Sequence, residues 1–189
     1  MSHVFDIQEN RKSRKWTTKE QVGRLIWALT WPFFRYSPKP LWRWRNFLLR
    51  IFGAQISSNV RIDPSVRIFI PWNLSIADWS SIGFDAIVYN LGFIAIGSNV
   101  TISQRSHLCA GTHDYRQKSM PLVKSTIVIG SDTWICADAF IGPDIKIGDT
   151  AIVGARSVVV RDVPSLAIVA GNPARFIKHR DALTPPDTI

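Results

Sequence analysis

The chain has 189 residues, 46% of them hydrophobic, and a formal charge of +9. That size suits one domain with a real core and an appendage. Two cysteines, Cys109 and Cys136, are too few for a disulfide framework, which favours reduced thiols and a cytoplasmic protein. The best apolar run, Leu25 to Phe34, is far short of the roughly 20 residues a membrane crossing needs, contains Pro32, and has no small-residue cleavage site after it.

The charge is concentrated at one end. Residues 1–50 carry eleven basic and three acidic side chains and five of the eight tryptophans: Trp16, Trp27, Trp31, Trp42 and Trp44. Thr17 with Glu20, and Thr18 with Gln21, both fit a capping box. Val22, Leu25, Ile26 and Leu29 follow helical spacing, and Pro32 is expected to end that helix. A second helix is expected from about Pro40, with Leu41, Trp44, Leu48 and Ile51 as its apolar stripe and Arg43, Asn46 and Arg50 opposite. Residues 1–52 thus read as a basic, Trp-rich helical arm. Such an arm could cap the open end of the body or lie on an anionic membrane. The charge comes with no nucleic-acid-binding motif, so nucleic acid is not expected as a partner.

From Ile56 an aliphatic residue recurs every six positions: Ile56, Ile62, Ile68, Leu74. The phase slips by two to Ile76, Ile82, Val88, Ile94, and again to Ile96, Ile102, Leu108. After a break at 112–126 come Ile129, Ile135, Ile141, Ile147, Val153 and Val159. A period of six fits neither a helix nor the alternation of a β-sandwich. It fits a coil of short strands with one inward side chain per hexad and about 18 residues per turn, stacked about 4.8 Å apart. Ile129 should then lie over Ile147, Ile135 over Val153, and Ile141 over Val159. Residues 53–169 read as this all-β parallel β-helix, the slips as corner loops, 112–126 as a functional loop, and 170–189 as a tail.

The hexads, together with Val88-Tyr89-Asn90-Leu91-Gly92, Gly111-Thr112-His113-Asp114-Tyr115, Ser131-Asp132-Thr133-Trp134-Ile135, Gly154-Ala155-Arg156-Ser157 and Ala170-Gly171-Asn172-Pro173-Ala174-Arg175, resemble the hexapeptide-repeat acyltransferases. Within them the chain is most similar to the maltose/galactoside O-acetyltransferase group and to acetyltransferases of exopolysaccharide biosynthesis of the colanic acid type. The resemblance implies a left-handed helix, a homotrimer, and acetyl-CoA bound in the cleft between subunits.

It also implies site residues. His113 matches the family's catalytic base, a role that suits a neutral imidazole. Asp114 would order the loop or the imidazole, and Asn90 matches a region touching the acceptor. Trp134 would line the pantetheine channel. Ala137 and Ala155 would offer backbone groups to it, with Ala137 replacing a serine of some relatives. Arg161, Arg175 and Lys178 would meet the CoA phosphates.

Of the other histidines, His3 and His179 lie in flanking segments, and His107 receives no role. His107 and His113 are six apart on successive sides of the coil, and no third histidine occurs there, so no metal site is expected. Cys136 reads as packing. The reaction expected is acetyl transfer to a hydroxyl of a small-molecule or lipid-linked saccharide in exopolysaccharide biosynthesis, in the cytoplasm or on the inner membrane face. An amino-sugar N-acetyltransferase and an inactive β-helical scaffold are the alternatives.

Overall fold

A computed structural model describes residues 5–181, so His3 and the last eight residues of the expected tail lie outside it. Three short strands make each coil of a parallel β-solenoid. The first coil is β1 (Gln55–Ile56), β2 (Arg61–Ile62) and β3 (Arg67–Ile68); the second is β4 (Leu74–Ile76), β5 (Ser81–Ile82) and β6 (Ile87–Tyr89). The third is β7 (Ile94–Ile96), β8 (Thr101–Ile102) and β9 (His107–Cys109), followed by an excursion through β10 (Gly111–His113) and β11 (Leu122–Lys124). Next come β12 (Ile127–Ile129), β13 (Trp134–Ile135) and β14 (Phe140–Ile141), then β15 (Ile145–Ile147), β16 (Ile152–Val153) and β17 (Val158–Val159). β18 (Ala167–Ala170) continues the stack, and β19 (Arg175–His179) returns antiparallel along it. The tail expected from residue 170 is therefore partly a strand. The first, second and third strands of successive coils form walls A, B and C.

The hexad aliphatics fill the interior, from Ile56 to Val159, and the predicted ladders hold: Ile129 pairs with Ile147, Ile135 with Val153 and Ile141 with Val159. The slips have one cause. The first coils are two residues longer, so Ile62 pairs with Ile82 and Ile68 with Val88. The extra residues lie between walls C and A, at Pro71–Asn73 and again around Asn90 and Gly92. The excursion after β9 sits at this same C–A corner. It is an antiparallel hairpin, with His113 opposite Leu122.

The glycines after the hexad aliphatic do not supply the turn conformation. That falls three places after the aliphatic, at Trp79, Asp85, Asn99, Arg105, Asp132, Asp138, Asp144, Thr150, Arg156 and Leu166, all with φ between 55 and 64°. Asp and Asn tolerate this left-handed region best, and they hold half of these corners. Gly148 answers a different constraint: a Cβ there would stand 2.3 Å from the Ser165 nitrogen of the next coil.

In the first coil the N–H groups of Ser57, Arg61, Asp63 and Phe69 donate to carbonyls of the next coil, so the carbonyls of Ile56, Val60, Ile62 and Ile68, in the same trans peptide units, point the other way. The first coil therefore presents unpaired carbonyls at its open end, and burying them unsatisfied costs about 1–3 kcal/mol each. The arm supplies the donors. Arg45 Nε donates to Ile62 O at 2.8 Å, Asn46 Nδ2 to Val60 O at 2.8 Å, Arg50 Nε to Ile56 O at 2.7 Å and Trp27 Nε1 to Ile68 O at 2.8 Å.

The arm comprises α1 (Ile7–Lys12), α2 (Thr18–Arg35) and α3 (Trp42–Ile51). Thr17 and Glu20 form the reciprocal capping box of α2. Two expectations are corrected. Pro32 does not end α2, which runs three residues further; Tyr36 N closes the last turn on Pro32 O at 2.9 Å. Nor is the apolar stripe of α3 its inner face. Arg45, Asn46, Leu48 and Leu49 are buried, whereas Leu41, Trp44 and Ile51 are exposed, because the surface to be covered is a row of carbonyls. The cap reading of the arm matches this geometry.

Candidate active site

The hairpin at the C–A corner carries His113 with its side chain exposed. Its Nδ1 lies 2.7 Å from Met120 O. A carbonyl only accepts, so Nδ1 holds the hydrogen in this contact and Nε2 keeps a free lone pair. Asp114 orders the loop and not the imidazole. Its carboxylate accepts from Arg116 N, Nε and Nη2 at 3.1, 2.8 and 3.3 Å and from Gln117 Nε2 at 3.0 Å. The Arg116 side chain is the main reason its pKa falls to about 2.

A residue without any sequence signal completes this arrangement. Asn10 of α1, buried, donates through Nδ2 to Ser119 O at 2.7 Å and to Met120 O, the carbonyl that holds His113. Lys15 Nζ donates to Asn10 Oδ1 at 2.6 Å, and Asp6 N donates to Lys118 O at 2.7 Å. Lys124, at the far end of the hairpin, reaches Glu20 Oε1 at 3.4 Å and lies 3.8 Å from the centre of the Trp16 ring. The arm thus grips both ends of the excursion. Asn10 is more than a hundred residues from the two carbonyls it binds, so no local pattern announces it.

The other predicted residues lie elsewhere. Trp134 projects from wall B, half exposed, with Nε1 donating to Ser103 Oγ at 2.9 Å. Ala137 and Ala155 stack at the B–C corner, where Arg156 N donates to Ala137 O at 2.9 Å. Arg161 and Arg175 line one cavity of about 200 Å³ at the last coil, together with Phe176. Lys178, in β19, pairs with Asp181 at 2.7 Å. Within one chain, then, the His113 hairpin stands at the C–A corner and the Trp134, Ala137 and Ala155 group on wall B and the B–C corner.

Asn90 requires a correction, because its side chain is fully buried and spent on backbone. Oδ1 accepts from Phe69 N and Ile70 N at 3.1 and 3.0 Å, and Nδ2 donates to Ile70 O. Asn73 Nδ2 in turn donates to Leu91 O at 2.9 Å. These amides brace the enlarged corners beneath the hairpin and leave no group of Asn90 for an acceptor.

Wall C carries an outward ladder of rings, Phe69, Tyr89, His107 and Phe140, each edge-on to the next. Among the described residues the buried His107 Nε2 has no hydrogen-bond partner, and burial lowers its pKa. Burial raises the Cys136 thiol, which disfavours a nucleophilic thiolate. Among the described residues no cluster of three His, Cys, Asp or Glu side chains could hold a metal.

The model of the bacterial transferase hexapeptide family (six repeats) matches residues 126–161. A protein named colanic acid biosynthesis acetyltransferase WcaF, from Escherichia coli (strain K12), is 45% identical over 157 residues, 83% of this chain and 86% of its own length. Galactoside O-acetyltransferase of the same organism is 28% identical over 138 residues, 71% of this chain and 68% of its own. Among solved structures, a hexapeptide-repeat acetyltransferase of Vibrio cholerae O1 biovar eltor, complexed with acetyl coenzyme A, shares the fold with a TM-score of 0.80. That match covers 92% of this chain and 96% of the other, at 24% identity.

Proposed function

Because the chain belongs to the hexapeptide-repeat acetyltransferases, we propose that it transfers acetyl from acetyl-CoA to a saccharide hydroxyl, with His113 as general base. The observation that carries this reading is the Nδ1 contact to Met120 O, which leaves Nε2 as a proton acceptor on an exposed hairpin. Nε2 takes the proton of the attacking hydroxyl, and the oxygen adds to the thioester carbonyl. Collapse of the tetrahedral intermediate breaks the C–S bond, and the proton passes to the departing thiolate of CoA. No covalent acetyl-enzyme forms, so both substrates must be held together.

Trp134, Ala137 and Ala155 are assigned to the pantetheine arm. Small side chains at that corner let the backbone approach it, and Arg161, Arg175 and Lys178 supply cations for the phosphates. Since the hairpin and this corner are separate within one chain, the site is read as lying between neighbouring copies in a trimer. The likeness to the colanic acid acetyltransferase supports an acceptor in exopolysaccharide biosynthesis.

The test is acetyl-CoA turnover with a panel of oligosaccharides, by wild type and His113→Ala. Product acetyl groups released by mild alkaline hydroxylamine are esters, whereas amides resist. An alkali-stable product makes the enzyme an N-acetyltransferase. Absence of both CoA binding and turnover removes the enzymatic reading.

A further inference from the structure

We propose that the outer face of α2 and α3 is a docking surface for an anionic lipid bilayer. The inner faces of both helices are committed to the solenoid end through Trp27, Phe34, Arg45 and Asn46. The outward residues are apolar all the same. Val22, Ile26, Leu29 and Phe33 line one side of α2 at helical spacing, and Leu29 and Phe33 are 68 and 65% exposed. On α3 the outward residues are Trp44, Phe47 and Ile51, 40, 50 and 61% exposed. The two rows meet: Ile51 borders the same groove as Val22 and Ile26, and Trp44 the same groove as Phe33. A contiguous apolar face this broad is uncommon on a protein surface and marks a contact.

The charge decides what it contacts. Between Glu20 and Asp63 the sequence has no acidic residue and seven basic ones. Arg45 and Arg50 serve the cap. Arg24 and Arg35 line the groove between α2 and β3, on one side of the apolar face. Asp85 borders that groove as well. Lys39 and Arg43 flank Leu41 and Trp44 in sequence, and among the described residues Lys39 is the one of these four with an acid within 4 Å, Asp63 at 3.9 Å. A second copy docking by this face would set like charges against each other. An anionic bilayer accepts the apolar side chains among its acyl chains and the cations among its headgroups. No described helix is long and apolar enough to cross a membrane, so the arm would lie in the interface plane.

The experiment is co-sedimentation of the full chain with vesicles of phosphatidylcholine alone or mixed with phosphatidylglycerol, at low and high salt. Binding is expected to the mixed vesicles, weakening with salt. The paired variant Leu29→Glu with Phe33→Glu should reduce it by about tenfold or more, through lost insertion. Both positions face solvent, so its circular dichroism and melting should match wild type. Trp79→Glu, an exposed aromatic on the solenoid, should bind as wild type does. Failure of wild type to bind, or undiminished binding by the paired variant, overturns the proposal. So does a paired variant that changes the molecular mass in free solution while leaving vesicle binding intact, because the face would then join copies of the chain.

Discussion

The imidazole of His113 is held by the Met120 carbonyl of its own hairpin, and Asn10 from the arm donates to that same carbonyl. If His113 is the base proposed above, His113→Ala is expected to lower kcat by about 10²–10⁴-fold in an acetyl-CoA assay. Asn10→Ala keeps His113 but loosens the carbonyl that its imidazole meets. We expect kcat to fall by about tenfold, with the KM for acetyl-CoA little changed, since small misplacements cost rate steeply. A purely structural role for Asn10 would lower the melting temperature and leave kcat alone. His107 should report itself through pH. Folding disfavours its protonation, so below the ordinary histidine pKa of about 6.5 the unfolded chain binds more protons. The stability that neutral His107 contributes is present above that value and is lost as pH falls through the lowered folded pKa. His107→Phe, which retains the ring stack and removes the orphaned nitrogen, should therefore lose less melting temperature than wild type between pH 7.5 and 5.

At the scale of elements, each corner combines a left-handed residue with close contact between coils. Thr150 is β-branched at φ 60°, a poor choice for that region. Thr150→Asn should raise stability by about 1 kcal/mol in thermal unfolding. Gly148→Ala should lower it by about 1–3 kcal/mol, because the added methyl meets backbone of the next coil. The capping helix gives the larger effect. Arg45 donates to Ile62 O, Pro38 O, Lys39 O and Ser37 Oγ while fully buried. Arg45→Met fills similar space but strands those acceptors, and a loss of about 3 kcal/mol or more is expected from urea unfolding. Periodicity alone put the wrong face of α3 inward. Amphipathic patterning assumes an apolar target, whereas this helix covers the polar rim of a coil.

For the whole molecule, the separation of the His113 hairpin from Trp134 and the B–C corner makes assembly testable. If neighbouring copies complete each site, His113→Ala and Trp134→Ala proteins, each expected to have lost activity alone, should regain activity when unfolded and refolded together. Random mixing of equal amounts in a ring leaves about a quarter of the sites with both groups intact. A mixture no more active than its components would place the whole site within one chain.

Sequence alone determined the solenoid, its hexad ladders and the position of the excursion. An inward aliphatic every sixth residue is a local requirement repeated many times, and it survives reading one residue at a time. The Thr17–Glu20 cap was legible for the same reason. The tertiary structure decided the rest: that all the extra residues stack at one corner, that Asn90 braces that corner instead of meeting a ligand, and that Asn10 reaches the carbonyl behind His113. Such contacts join residues from about 20 to more than 100 positions apart. Only the closed coil, with the carbonyls at its open end and the His113 hairpin at its C–A corner, brings those partners within hydrogen-bonding distance.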